Sequence, residues 1–581
     1  MNRLVYFIVN ILTIFTVFAC VPHKNTLFSE GKSDYSIVLC DNASASEQTA
    51  AEELQSYLQQ IGGVTLPIIG CKQLAEGQKH IFVGYNEKYG ALCGAVFPEK
   101  GDEGYTYRNV GSNIWIYGGS ERGTMYGVYS FLENELGVRW YTKDYTHISA
   151  LKEWCFGELY SNESPFIQYR FVQYYNVEPH KEWLAHNKCN SVWSAQNNEY
   201  GGLVAYWNAH TFEQFIPSGE YFSTHPEYFS LRDGKRTPYT QLCLSNPEVL
   251  QICTDKMKQA IADNPLYWVY SMSQSDNQFP CQCENCRAIE EQYGGHSGLV
   301  VWFVNQVADA IKPLYPDKYI GTFAYQYTRK APTGITPRDN VVIRLCSIEC
   351  CFAHPLEECA HNRPFISDIE DWSKIAPHLF IWDYVVNYRQ YAAPFPNFGV
   401  LAENIKTFKR FNAIGIQEEA QYESLGGEFS DLKSWVLSKL LWNPNLDTKK
   451  LVSQFITDYY GAAAIYIQQY FDLCHSLIND ETVMGIYIDE NNPLYTDEFI
   501  IEADRLLTQA KQTVAGCDDD ICMRVDMVAL QIDYLRVVRT PHEAAADGTR
   551  DRLFNFIRKN NILLNESQST EETISSIMNK I

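Results

Sequence analysis

The chain has 581 residues, with 47 Lys and Arg against 70 Asp and Glu, for a formal charge of −23. Such a surface repels nucleic-acid phosphates, and no Lys/Arg run segregates a basic patch, so a nucleic-acid partner is excluded. With 46% apolar and 20% charged residues the composition excludes disorder and supplies a large core.

The predicted elements begin with Arg3 and an apolar run from Leu4 to Ala19, too short to span a bilayer comfortably and built like a secretory signal. It ends in Val17-Phe18-Ala19-Cys20, which resembles a bacterial lipobox. The expectation is that residues 1–19 are removed, Cys20 carries lipid, and the protein is tethered at the bacterial cell envelope by that anchor alone, with no transmembrane helix. The other reading is an ordinary signal peptide with a chance Cys.

Residues 33–150 read as a small α/β domain. Ser36–Cys40 and His80–Gly84 are apolar enough for buried strands, and Gly111-Ser112 turns a hairpin between Tyr105–Val110 and Asn113–Gly118. Leu54, Leu58 and Ile61 share one helical face that stops at Gly62-Gly63, and a second helix over Gly123–Leu136 stops at Gly137. The turn-rich stretch from Lys143 to Pro165 is expected to be a linker.

Residues 163–428 alternate short apolar runs with amphipathic helices. Eight candidate strands, Gln168–Gln173, Ser191–Trp193, Leu203–Trp207, Trp268–Ser273, Ile320–Tyr325, Val341–Leu345, Phe380–Asp383 and Ala413–Gln417, predict a (β/α)8 TIM-like barrel. Residues 429–581 have helical period only and are expected to form a helical domain. The fold class is therefore α/β in three parts.

In such a barrel the chemistry sits at the C-terminal ends of the strands. Those ends supply Asp276-Asn277, Tyr325, Glu349, Asp383 between Trp382 and Tyr384, and Glu418-Glu419, while Trp207-Asn208-Ala209-His210 follows the third strand. Breaking a glycosidic bond needs one carboxyl group that holds a proton near neutrality and a second that is ionised, so the candidate catalytic residues are Asp276, Asp383, Glu418 and Glu349. Glu419 is expected to point outward by strand alternation. Asn277, Trp207, His210, Tyr325, Trp382, Tyr384 and Arg170 are the candidate sugar-binding groups, because flat rings stack on sugar faces and polar tips bond hydroxyls. The total of 39 Tyr, 30 Phe and 12 Trp fits an aromatic cleft. Bland readings remain for Asp276-Asn277, a loop cap, and for Glu349, a structural loop.

Without Cys20, 17 of the 18 cysteines remain, an odd number that cannot all pair within one chain. Cys281-Gln-Cys283-Glu-Asn-Cys286 stands apart as either a structural zinc site or a local disulfide, with a fourth zinc ligand sought among Cys346, Cys350, Cys351, Cys359 and His354. No cofactor is expected to be needed for catalysis.

Ala50-Ala-Glu-Glu-Leu54 and Arg122-Gly-Thr-Met-Tyr126-Gly through Arg139-Trp-Tyr141 resemble the α/β domain that precedes the barrel in family 20 hexosaminidases and bacterial α-glucuronidases. His225-Pro-Glu-Tyr-Phe229, Ser275-Asp-Asn277, the Cys281–Cys286 motif, Trp382-Asp-Tyr384 and Leu441-Trp-Asn-Pro444 resemble the bacterial domain of unknown function 4838 family. The resemblance implies a glycoside hydrolase-like barrel with its acid after the fourth strand, where Asp276 stands. Hexosaminidases place an Asp-Glu pair there for substrate-assisted catalysis, and Asn277 cannot donate that proton. The expectation is a lipid-anchored glycoside hydrolase with Asp276 as general acid and Asp383 or Glu418 as base or nucleophile. The alternative is a surface glycan-binding lipoprotein that has lost catalysis.

Overall fold

A computed structural model describes residues 25–74, 77–84, 103–119, 121–567 and 569–581. The expected signal and Cys20 lie outside the described residues. Among those described, no helix is long and apolar enough to cross a membrane.

The N-terminal domain is a mixed six-stranded sheet packed against the helices Ala45–Gly62 and Gly123–Leu136. Its first helix starts on a capping box: Ser44 Oγ accepts from the Glu47 amide, and Glu47 reaches back to the Ser44 amide at 3.0 Å. Leu54, Leu58 and Ile61 point into the core, and Gly63 ends the helix in the left-handed conformation that glycine adopts without strain. Ser44→Ala removes one partner of the box and is expected to cost about 1 kcal/mol, read as a lower urea midpoint.

The segment expected to be a linker belongs to this domain. Glu153–Phe156 pairs with Asn25–Ser29, and Tyr160–Glu163 adds an edge strand beside Tyr105–Val110. The sequence Tyr-Ser-Asn-Glu shows no apolar alternation because an edge strand half exposed on both faces has no side to bury.

The barrel consists of eight parallel strands: β1 Tyr169–Gln173, β2 Ser191–Val192, β3 Val204–Trp207, β4 Val269–Ser271, β5 Tyr319–Ala324, β6 Val341–Cys346, β7 His378–Tyr384 and β8 Ala413–Glu419. From β2 to β8 each strand pairs with the next in chain order, and β8 returns to β1. Between β1 and β2 the ladder is replaced by Asn190, whose amide donates to the Arg170 carbonyl at 3.3 Å and whose Oδ1 accepts from the Arg170 amide at 2.8 Å. Glu103 of the N-terminal domain accepts from Asn190 Nδ2 at 3.0 Å, pairs with Arg122 at 2.8 Å, and also pairs with Arg170. Arg170 is fully buried at the N-terminal end of β1, so its expected sugar-binding role is replaced by a structural one at the barrel seam.

The barrel interior is plugged from below by Tyr206, Val269, Val342 and Phe380. Gly321 and Gly415 make room for two of these rings; a Cβ at Gly321 would stand 1.6 Å from the Tyr206 hydroxyl, and one at Gly415 2.2 Å from the Phe380 ring. Above the plug the Arg344 guanidinium lies 4.1 Å from the Tyr206 centroid, 4.7 Å from Trp382 and 5.1 Å from Trp193, a cation held by ring faces rather than by a carboxylate.

Residues after β8 form helices, beginning with Ser430–Trp442, which packs on β1 and is followed by Thr448–Tyr460, Ala464–His475, Asp497–Val514 and Asp519–Arg539. At the junction with the barrel, Lys433 and Glu428 form a fully buried ion pair at 2.5 Å.

Candidate active site

Strand alternation decides which side chains enter the barrel. On β7, Phe380, Trp382 and Tyr384 face inward, and on β8 the inward set is Gly415, Gln417 and Glu419. Above Arg344 these strands open into a cavity of about 470 Å³ at the C-terminal mouth. Trp193, Phe323, Tyr325, Trp382, Tyr384 and Tyr388 form its aromatic wall. Glu178, Asp276, Glu419 and Glu566 bring four carboxyl groups to it. Tyr422 and Tyr487, 39% and 61% exposed, stand at the rim.

Glu419 is buried and accepts from Trp382 Nε1 at 2.5 Å. Burial pushes its carboxyl up to about 8, against the lowering effect of the Trp382 bond and with a further push from the Glu566 and Glu423 carboxylates. Glu178 is raised to about 7 by burial, although it accepts from the Trp193 amide at 3.3 Å. Asp276 is exposed at the mouth and accepts from the Tyr325 hydroxyl at 3.2 Å. His210 Nδ1 donates to the Gln274 carbonyl at 2.8 Å, which leaves Nε2 as the acceptor of the neutral ring. Asn208 and His210 both have left-handed backbones, φ 59° and 51°. That conformation costs a non-glycine residue about 1 kcal/mol and turns the chain sharply at the end of β3, where Asn208, Ala209 and His210 line the cavity.

Asp276, His210, Tyr325, Trp382 and Tyr384 therefore meet in one cavity. The other expected residues lie elsewhere. Asp383 and Glu418 sit on the outward parity of β7 and β8, side by side in register and buried. The Ser347 hydroxyl donates to Asp383, and burial raises Asp383 to about 6 and Glu418 well above the usual range, with Asp383 adding to the latter. Glu349 pairs with Arg329 at 2.8 Å outside the cavity lining. Trp207 stacks on Phe215, centroids 6.0 Å apart. Asn277 caps its own loop, its Oδ1 accepting from the Phe279 amide at 3.1 Å and from Gln241 at 3.1 Å.

Glu178, Trp193, Tyr388, Tyr422, Tyr487 and Glu566 are lining residues that the sequence reading missed. Tyr422 lies three residues beyond Glu419 at the end of β8, a position that could have flagged it; Tyr487 and Glu566 come from the helical domain and carry no local signal. The cysteine motif also resolves differently: its fourth sulfur neighbour is Cys243, while Cys351, His354 and Cys359 form a separate group.

An acidic, aromatic cavity at the C-terminal mouth of a parallel barrel, preceded by a small α/β domain, is a glycoside hydrolase-like architecture. The family described as Domain of unknown function (DUF4838) matches residues 140–472, more than half of the chain, and the chain belongs to that family. The glycosyl hydrolase family 67 N-terminus matches residues 19–131. A family GH115 4-O-methyl-α-glucuronidase with specificity for decorated arabinogalactans shares the fold with TM-score 0.56 at 11% identity, covering 93% of this chain and 77% of its own. Flavobacterium johnsoniae chitobiase superposes with TM-score 0.47 at 11% identity over 95% of this chain and 96% of its own. Among curated proteins the chain finds no match.

Proposed function

We propose that the protein hydrolyses a glycosidic bond, with Glu419 as proton donor and Asp276 as base or nucleophile. The observation that carries this reading is Glu419: a carboxyl group facing a sugar-sized aromatic cavity and holding its proton up to a pH of about 8. The proton passes from Glu419 to the glycosidic oxygen as the bond to the anomeric carbon breaks. Water supplies the new oxygen on that carbon and yields its proton to a carboxylate. Asp276 exchanges roles with respect to the sequence expectation because it is exposed, whereas Glu419 is desolvated. Anchorage through Cys20 would place this activity at the cell envelope.

The lining also bears on the sugar. Among the described residues that line the cavity His210 is the one basic side chain, against four carboxyl groups, of which burial raises Glu419 and Glu178 to about 8 and 7 and leaves Asp276 and Glu566 to carry the negative charge. Arg170 and Arg329 are engaged elsewhere, and Arg344 lies beneath the ring floor. A uronate would meet like charge with no guanidinium to receive it, so the favoured substrate is a neutral glycoside despite the α-glucuronidase-like N-terminal domain. The test is a panel of neutral aryl glycosides and aryl uronides, with release of the aryl group as readout. Turnover confined to neutral members is expected. Turnover of uronides alone overturns the substrate class, and saturable glycan binding without release from any member overturns catalysis in favour of a binding protein.

A further inference from the structure

We propose that Cys243, Cys281, Cys283 and Cys286 bind one Zn²⁺ in a closed structural site directly behind the loop that carries Asp276. The four sulfur atoms lie within 4.8 Å of one another. Cys243 Sγ is 3.6 Å from Cys283 Sγ and 3.9 Å from Cys286 Sγ. Four thiolates about 2.3 Å from a tetrahedral zinc stand about 3.8 Å apart, so the pocket between these sulfurs has the size of the ion.

Two stretches of chain, about forty residues apart, are brought together to make this set. Cys243 precedes the helix Pro247–Asp263, Cys281 and Cys283 follow Phe279-Pro280, and Cys286 lies in the first turn of the helix Glu284–Tyr293. The surroundings favour thiolates over packed thiols. The Leu231 amide donates to Cys281 Sγ at 3.3 Å, Arg236 Nη1 lies 3.6 Å from the same sulfur, and Ser245 Oγ lies 3.1 Å from Cys286 Sγ. An all-sulfur, fully occupied ligand set is selective for zinc over magnesium or calcium and leaves no open position for a reacting water. Cys253 and Cys346 are buried singly and behave as small apolar side chains. The group Cys351, His354 and Cys359 offers three ligands only, and His354 Nε2 is already engaged with the Asn479 carbonyl at 3.0 Å.

The position gives the ion a task. Gln241, two residues before Cys243, clasps the loop on both sides of Asp276: its Nε2 donates to the Ser275 and Asn277 carbonyls at 2.7 and 2.8 Å, and its Oε1 accepts from the Ser275 amide at 3.0 Å. Cys281 leaves the same loop at its other end. Zinc would tie both ends of the loop to one point and so fix Asp276 at the cavity mouth.

The experiment uses the full chain expressed with zinc available, with metal measured by mass spectrometry and amide exchange measured over residues 275–283. The expected result is about one zinc per chain, loss of that zinc and faster exchange in Cys243→Ser, and retention of both zinc and protection in Cys351→Ser. Should Cys243→Ser fail to accumulate, titration of the unmodified chain with an organomercurial reads the same quantity, with zinc expected to leave as four thiols are consumed. A folded chain without stoichiometric zinc, stoichiometric iron in its place, zinc released independently of thiol modification, or a disulfide between any two of the four cysteines overturns the proposal. The result is independent of whether the cavity is catalytic.

Discussion

Glu419→Gln is expected to lower turnover of a glycoside with a poor leaving group by about 10²–10⁴-fold, the range a positioned proton donor supplies. The loss should be much smaller on a dinitrophenyl glycoside, whose leaving oxygen departs without protonation. Activity of the unmodified protein should decline as pH rises through about 8, where Glu419 loses its proton, and this alkaline limb should vanish in the variant. An equal loss on both leaving groups, with the limb retained, would remove Glu419 from the donor role. The same substitution has a thermodynamic signature. Below pH 4.5 the carboxyl is protonated in both folded and unfolded chains; between 4.5 and about 8 only the unfolded chain releases the proton, so stability falls across that window and levels off above it. Gln carries no such proton. The variant should therefore gain stability relative to the unmodified protein as pH rises from 4.5 to 8, and melting curves at the two pH values check this. A proton donor held in a desolvated site thus costs stability where it serves function.

Lys433→Met is expected to cost about 3–5 kcal/mol, because it strands a charge in the interior. Lys433 and Glu428 are both fully buried, and Lys433 Nζ also donates to the Val385 and Phe395 carbonyls at 3.2 Å. Burial lowers the Lys433 ammonium and raises the Glu428 carboxyl, while each partner opposes the other's shift. The single variant therefore leaves a carboxyl that must be protonated or solvated. A double variant, Lys433→Met with Glu428→Leu, should recover most of the loss, since two apolar side chains remove the uncompensated charge. Denaturant midpoints of the two variants decide the matter; equal losses in both would mean that packing rather than charge holds this junction.

Most of the barrel was legible because its strands are short, β-branched or aromatic runs followed by helices, and both signals are local, although no helix separates β2 from β3. The edge strand Tyr160–Glu163 was not, since its residues face water on both sides. Within the site the aromatic wall was legible and the phase of the acids was not fully used. Trp382, Asp383 and Tyr384 are consecutive on one strand, so rings at both flanks of Asp383 place Asp383 on the opposite face. The same parity applied to β8 selects Glu419 over Glu418, the reverse of the expectation. Glu566 and Tyr487 reach the cavity through packing of the helical domain on the barrel, and no spacing in the sequence encodes that meeting. Cys243 was missed because a single Cys far from the motif looks like any other buried thiol.

The barrel seam bears on how the chain can be divided. The bond that replaces the missing ladder between β1 and β2 is held by Asn190 and Arg170, and the carboxylate that compensates Arg170 belongs to Glu103 in another domain. A barrel cut out at its sequence boundary would retain an interior guanidinium with its counter-ion deleted. The barrel is therefore not separable from the N-terminal domain at that boundary, and any shuffling of such barrels among relatives would have to carry that clasp along or reinvent it.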